Sequence, residues 1–267
     1  RQLPYNSGFD DVTQNAGEVV NQGVELSLET QNFVGDFRWT TSINATFNDN
    51  EVKELVGGEP IISGLQRAVE GEEFGFFLPE YRGVDPETGQ PLFTDADGGT
   101  TNNPGGADRF LTGQILPDWT GGFTNTFNYK GFDFRTQFTF EYGHKVYNST
   151  KQFLMTTSLF GLHEDALDRW QQPGDQTDVP RLTFADIIDN STRNSTRFLE
   201  DGSYLRLQNL TFGYTLPDNI LEDLGVSRLR VYFQGTNLLT FDSPSIGDPE
   251  GSTGGAQGVL DRGELFF

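Results

Sequence analysis

Hydrophobic and polar positions alternate most cleanly between Thr120 and Gly143, in two runs joined by Lys130-Gly131. In the second run Phe132, Phe134, Thr136, Phe138, Phe140 and Tyr142 share one parity, and Asp133, Arg135, Gln137, Thr139 and Glu141 share the other. Period two marks a strand, because successive side chains of a pleated backbone point to opposite faces. The first run repeats the pattern more weakly: Phe123, Phe127 and Tyr129 lie in one row with Asn125, opposite Thr124, Thr126 and Asn128. The Lys-Gly junction suits a tight hairpin, since glycine accepts φ > 0. A second clean strand sets Phe37, Trp39, Thr41, Ile43, Ala45 and Phe47 against Arg38, Thr40, Ser42, Asn44, Thr46 and Asn48. Further strands are predicted over 18–30, 198–216 and 228–237. Within 198–216 the apolar row changes parity, from Leu205 and Leu207 to Leu210, Phe212 and Tyr214. A bulge near Gln208 accounts for that.

Between these strands the connections differ in length. The turns at Val34-Gly35, Lys130-Gly131 and 217–227 are short, the last with a helical turn at 218–224. The segments 49–118, 144–197 and 238–267 are long, and residues 1–16 read as loop. Within 49–118, the pieces 74–84 and 90–94 pair across the turn Asp85–Gly89, and 96–107 reads as loop. Within 144–197 one helix is predicted, Lys151 to Trp170, with Leu154, Leu159 and Leu162 on one face and Glu164, Asp165 and Asp168 on the other. The stretch 238–267 is mostly Gly, Asp, Ser and Pro. Short and long connections alternate, as in outer-membrane barrels. The strand at 37–48 leaves a short turn and the strand at 120–129 enters one, so 49–118 holds an even number of crossings. The piece 90–94 is shorter than the ~9–11 residues of a spanning strand. Neither 74–84 nor 90–94 is therefore expected to span, and the two form a hairpin outside the membrane.

A Phe-rich face opposite a polar one suits either a half-buried soluble sheet or a membrane barrel. Composition narrows the choice. The chain has 267 residues, 34% hydrophobic, with Phe at 24, Gly at 32 and Met at 1, which suits strands more than packed helices. No run approaches the ~20 apolar residues of a spanning helix. Cysteine is absent, so disulfides, thiolate metal sites and Cys nucleophiles do not arise. The net charge of −21 argues against nucleic acid as a partner, because phosphate binding needs a basic patch.

Several residues are candidates for chemistry. Asp95, Asp97 and Asp108 suggest a calcium loop, the one cofactor the sequence hints at. Their spacing fails the EF-hand template, with Gly99 and Gly106 at liganding positions, and plain acidic turn residues are the alternative. His144 and His163 are the only histidines, and neither lies near a serine motif. Glu72-Glu73 and Glu164-Asp165 lack the fixed separation that paired carboxylates need for glycoside hydrolysis, so an enzyme is not expected. Trp39, Trp119, Tyr129, Tyr142 and Tyr214 lie near strand ends, where a membrane barrel places its aromatic girdles. Tyr81, Trp119 and Trp170 sit in or beside the long loops and are the candidates for substrate contact. Arg38, Arg135, Glu141, Arg206 and Arg230 would face or stand near a lumen.

The segments NQGVELSLET at 21–30, GVDPETGQPLFTD at 83–95, LPDWTGGFTNTFNYKGFDF at 116–134, DVPRL at 178–182, FLEDGSYLRLQNLTFGYTLP at 198–217 and LRVYFQGTNLLTF at 229–241 resemble the C-terminal barrel of SusC/RagA-type TonB-dependent outer-membrane transporters. The resemblance covers nearly the whole chain in order, and EDGSYLRLQNLTFGYTLP is its most specific piece. It implies an all-β fold, an antiparallel transmembrane β-barrel segment with long extracellular loops carrying one short helix. It implies a longer barrel of about 22 strands around a plug, with 1–267 as the C-terminal part and the plug and final strand absent. It also implies import of oligosaccharide or peptide across the outer membrane with energy from TonB, beneath a SusD-like surface lipoprotein. The rival readings are a secreted carbohydrate-binding β-sandwich and a complete small porin-like barrel.

Overall fold

A computed structural model of the chain describes residues 17–155, 162–183, 190–221, 226–242, 248 and 250. In chain order the strands are β1 Gly17–Phe33, β2 Phe37–Leu55, β3 Ile61–Ser63, β4 Gln66–Ala68, β5 Gly75–Pro79, β6 Tyr81–Val84, β7 Pro91–Thr94, β8 Thr100–Thr101, β9 Arg109–Gln114, β10 Trp119–Tyr129, β11 Phe132–Tyr142, β12 Lys145–Tyr147, β13 Leu199–Asp201, β14 Tyr204–Thr215 and β15 Arg230–Asp242. Two short helices, α1 Ser149–Leu154 and α2 Asp218–Leu221, complete the set. No described helix is long and apolar enough to cross a membrane, which leaves a β-barrel open.

Six strands form one antiparallel sheet in the order β1-β2-β10-β11-β14-β15. Its hairpin ends carry the short turns. Lys130 (φ 45) and Gly131 (φ 86) both lie at positive φ, the signature of the two-residue turn that matches strand twist. Pairing aligns the apolar rows across the whole sheet. One row runs Leu28, Ile43, Phe123, Phe138, Leu207, Leu239, and another runs Trp39, Phe127, Phe134, Phe212, Phe233. The parity change in β14 is the bulge at Gln208, the extra residue where adjacent Gln137 and Phe138 of β11 pair with Asn209 and Leu207. Among the described residues no second layer covers this face: Val24 is 68% exposed and Phe233 61%. In a soluble sandwich the same residues would be pressed against a facing sheet. β1 and β15 are the two edges, so the sheet is an open stretch of barrel wall.

Between the two rows lies a polar interruption on the same face. Asn125 Oδ1 accepts hydrogen bonds from Trp39 Nε1 at 3.0 Å and Thr41 Oγ1 at 2.8 Å. Asn32 Nδ2 donates to Thr41 Oγ1 at 2.7 Å, and Thr30 Oγ1 donates to Asn32 Oδ1 at 3.0 Å. The chain of bonds gives these polar groups partners within the apolar face.

The hydrophobic core lies elsewhere, among the long connections. Val52, Leu55, Ala68, Phe74, Phe76, Leu78, Ile115, Tyr147, Met155, Ala166 and Phe198 form one buried cluster. Two small sheets, β3-β4-β5-β9 and β6-β7-β8, with the pair β12-β13, frame it. The loops thus fold as a cap with an interior of their own, set on the upper ends of the six strands.

Several expectations need correction. The segment 74–84 is not one strand. Gly75–Pro79, buried along its length, joins β4 and β9, while Tyr81–Val84 alone pairs with Pro91–Thr94. Its run GFFLP is apolar on both faces, so the loop core takes it in. Neither piece enters the six-stranded sheet, as the shortness of 90–94 and the connection parity together predict. Thr100–Thr101 adds a short strand to β7 within the expected loop. The helix Lys151 to Trp170 is not continuous. α1 ends at Leu154, Met155 caps it, and after residues outside the description His163 is extended before a 3-10 turn at Glu164–Asp168. Leu159 lies outside the described residues, and Leu162 is exposed. The segment 198–216 breaks at Gly202-Ser203 into β13 and β14. A side chain at Gly202 would collide with the buried His144 ring, so the break is where the chain crosses that ring.

β2 continues past Asn48 to Leu55, carrying Val52 and Leu55 into the loop core. β15 continues past Asn237 to Asp242. Asn237 sits at φ 50, a conformation Asn tolerates, and this bulge hides the continuing period. Of the helical turn at 218–224, Asp218–Leu221 is helical and 222–224 lie outside the described residues, as do 1–16 and most of 243–267.

Candidate functional site

The face opposite the apolar rows is the candidate transport surface. Thr40, Ser42 and Asn44 of β2 align with Thr126, Thr124 and Gly122 of β10, then with Arg135, Gln137 and Thr139 of β11. These amides, hydroxyls and charges stand where the alternation puts them, on the wet side of each strand. At the long-loop end Arg206 is buried. Its Nε donates to Thr240 Oγ1 at 3.0 Å and its Nη1 to Glu250 Oε2 at 2.7 Å, while Nη2 meets Asp248. Nearby Tyr204 donates its hydroxyl proton to Glu141 Oε1 at 3.2 Å. At the short-turn end Arg230 grips Asp133 with two bonds, of 3.1 and 2.6 Å. All five of the expected lumen charges, Arg38, Arg135, Glu141, Arg206 and Arg230, are on wet-side positions of the paired strands.

A second concavity, of about 520 Å³, opens in the loop cap between Tyr81, Lys151, Asp165, Asp178 and Arg197. Asn148, buried beneath it, caps α1 by accepting from Lys151 N at 2.8 Å. Lys151 Nζ lies 2.9 Å from Asp165 and 3.6 Å from Glu200. Partial burial works to raise the Asp165 pKa. The hydrogen bond and charge of Lys151, with His163 and Arg197, outweigh it and hold the carboxyl below its ordinary value. Tyr81 donates its hydroxyl proton to Asp178 O at 2.8 Å, and the Arg197 guanidinium stands 5.7 Å from its ring. Burial pushes the Tyr81 phenol well up, against the pull of Arg197. The concavity offers two aromatic rings, Tyr81 and Phe198, three cations and two carboxylates, a mixture suited to a polar ligand with apolar parts.

Of the three candidates for substrate contact, Tyr81 lines this concavity. Trp170 instead pins a turn: its Nε1 donates to Pro86 O at 2.9 Å, and its ring occupies the space a side chain at Gly89 would need. Trp119 belongs to the apolar face, its ring 5.1 Å from Phe47, at the long-loop end of the sheet. Tyr142, Tyr129 and Tyr214 stand at the two ends of the same face, where an interface girdle would lie.

The acidic loop residues serve the backbone. Asp95 Oδ1 accepts from Asp97 N at 3.0 Å and Gly99 N at 2.7 Å, and Asp108 accepts from Ala96 N at 2.8 Å and Gly105 N at 2.6 Å. Among the described residues no three His, Asp or Glu side chains gather as a metal would require. His163 Nδ1 accepts from Asp165 N at 3.2 Å, and His144 Nε2 lies 3.9 Å from Glu141 in the junction between β11 and β12. Burial, with Asp118 and Asp49 nearby, pushes Glu73 up. Lys151 and Arg197 carried no site signal in the sequence, and Asp178 stood only as the first residue of DVPRL: single charges in loops acquire meaning only when distant segments meet.

No family model matches the chain. It is 35% identical to TonB-dependent receptor P3 of Formosa agariphila over 94% of its own length and 27% of that protein's. It is 27% identical to TonB-dependent receptor SusC of Bacteroides thetaiotaomicron, over 81% of this chain and 22% of that one. The chain thus spans about a quarter of the curated relatives it matches. Among solved structures, the RagAB peptide transporter matches with a TM-score of 0.77 at 29% identity, over 90% of this chain and 28% of that one. The RagAB peptide importer in its closed-closed state gives 0.77 at 30% identity. With the open six-stranded wall, the uncovered apolar face and the folded loop cap, these matches place the chain in the SusC/RagA type of TonB-dependent receptor.

Proposed function

We propose that the chain is part of the barrel wall of an outer-membrane active importer, most of its long connections forming the extracellular cap. In this reading the apolar face of the six strands contacts lipid and the opposite face lines the lumen. Cargo, an oligosaccharide or a peptide, passes inward with energy supplied through TonB, and a SusD-like surface lipoprotein sits over the cap. Sequence relatives that are TonB-dependent receptors and the fold likeness to a peptide transporter support this. The observation that carries it is the apolar face, whose rows run across the six strands with no second layer over them among the described residues. A transport role needs no catalytic group, and none of the described clusters is assigned one.

The test is made in cells that produce the intact transporter. Outer-membrane fractionation should place it there, and deletion of its gene should abolish TonB-dependent uptake of labelled oligosaccharide or peptide. Recovery as a soluble secreted protein would refute the reading.

A further inference from the structure

The apolar face is not evenly filled at its long-loop end. A groove of about 510 Å³ opens there among Trp119, Phe140, Tyr142, Leu205 and Phe241, with Ser203 also in its lining. Pairing sets Phe140 of β11 beside Leu205 of β14, and Leu205 beside Phe241 of β15. Leu205 is thus a low floor between two strands that carry rings. Phe140 leans away from that floor: a side chain at Gly121 of β10 would stand 3.0 Å from Phe140 Cζ. Nearer the long loops Trp119 pairs with Tyr142, but beside them the segment before β14 offers only Ser203. Its hydroxyl accepts from Gly143 N at 3.2 Å. The aromatic row therefore has a gap over the start of β14.

The lining calls for an apolar occupant. Tyr142 is 61% exposed and Phe241 60%. The polar lining residues Glu141 and Tyr204 have wet-side parity and bond to each other at 3.2 Å. Shape and backbone then choose among apolar occupants. Leu205 stands ~4.8 Å from each flanking strand, a gap about as wide as one polymethylene chain. An α-helix, ~10–12 Å across, does not enter it. Another strand cannot add there, because strand addition needs an open sheet edge and β14 is already paired on both sides. A hydrocarbon chain needs no hydrogen bond. Both flanks of the groove come from this chain, on the outside of the wall. The groove lies at the end that carries the long loops, which the import reading places outside the cell, so the chain that enters it comes from the outer leaflet.

We propose that this groove seats one acyl chain of an outer-leaflet lipid, retained by the transporter in place of free exchange with the surrounding bilayer. The assignment rests on the barrel-wall reading and adds a bound lipid to it.

The probe is phosphatidylethanolamine with a diazirine on one palmitoyl chain, titrated into bilayers that hold the purified intact transporter. After photolysis, peptide mass spectrometry maps the label. Label in the groove is expected to saturate at a low mole fraction of probe. Label on the lower row, around Phe134 and Phe212, should rise in proportion to probe, as it does for lipid that only surrounds the wall. Leu205→Trp fills the floor. It is expected to weaken the saturable label about ten-fold, the equivalent of about two displaced methylenes. Label around Phe134 and Phe212 stays unchanged in that variant, which also reports that it is inserted. If Leu205→Trp does not insert, Phe241→Ala removes one flank and is expected to lower the saturable label in part. Groove label that rises in simple proportion to probe overturns the proposal, as does saturation that the inserted variant leaves unchanged. Saturation that vanishes when the surface lipoprotein is reconstituted alongside gives the groove to that protein's acyl anchor and overturns the bilayer-lipid assignment. Failure of the underlying reading is a different result: a face with no label on either row is not in lipid at all.

Discussion

Arg230 reaches Asp133 across an intervening strand, and it does so over Gly213. The pair joins β11 to β15 above β14, and a side chain at Gly213 would stand 2.7 Å from Arg230 Nη2 and 2.7 Å from Asp133 Oδ1. The glycine is therefore a gap through which a charge pair spans three strands. Gly213→Val is expected to displace the guanidinium and free both charges. Exposed pairs contribute little to stability, so a modest fall in Tm of the intact transporter, matched by Asp133→Asn, is the predicted outcome. An unchanged Tm in both variants would show that the pair contributes nothing.

Asn125 presents the opposite situation, an amide in the middle of the apolar face. It accepts from both Trp39 and Thr41. Asn125→Val leaves those donors without that acceptor, at a cost of ~1–3 kcal/mol for an unsatisfied group. Removing one donor as well, in Asn125→Val/Trp39→Phe, is expected to recover part of the loss. Urea unfolding of the refolded transporter in lipid measures both, and strict additivity of the two substitutions would contradict the coupling.

The hairpin turn is a third point of test. Gly131 lies at φ 86, and a side chain there would approach Thr215 O to 2.6 Å. Gly131→Ala is expected to destabilise by more than the ~1 kcal/mol that a compatible replacement would change. Heat modifiability on gels, which reports barrel integrity, provides the readout.

The strands, their parity and the bulge at Gln208 were legible because period two is a local signal. The uncovered apolar face follows from that pattern only once pairing shows that every row aligns. The loop cap was largely illegible. GFFLP reads as one half of a long strand, and only the meeting of segments far apart in sequence shows that it serves a buried core. The concavity around Tyr81 depends on Lys151, Asp178 and Arg197, separated by many residues.

The cap should loosen in acid. Asp165 has a folded pKa below its ordinary 3.8, because the Lys151 hydrogen bond and neighbouring cations outweigh burial. A depressed carboxylate contributes stability that is fully present above the unfolded value and lost as pH falls through the folded one. Fluorescence of Trp170, which pins the turn at Pro86, is expected to change below about pH 4, and Asp165→Asn should remove part of that pH dependence. A profile identical in the variant would exclude Asp165 as a contributor.

Added calcium is expected to leave the Tm unchanged, since Asp95 and Asp108 already accept backbone N–H groups. Ligand binding to the folded state raises apparent stability by mass action, so a rise with millimolar calcium would reveal a site that these bonds do not suggest.

The orientation of the six-stranded wall is tested most directly by nitroxide scanning along β11 of the intact transporter in lipid, with cysteines introduced one at a time from Phe132 to Tyr142. The described chain has no native cysteine to interfere. Labels at Phe134, Phe138 and Phe140 should be accessible to oxygen, which partitions into lipid, and labels at Arg135, Gln137 and Thr139 to a water-soluble nickel chelate, with a period of two. Phenylalanine positions shielded from both reagents would mean that a second protein layer covers them, and the barrel-wall account would be wrong.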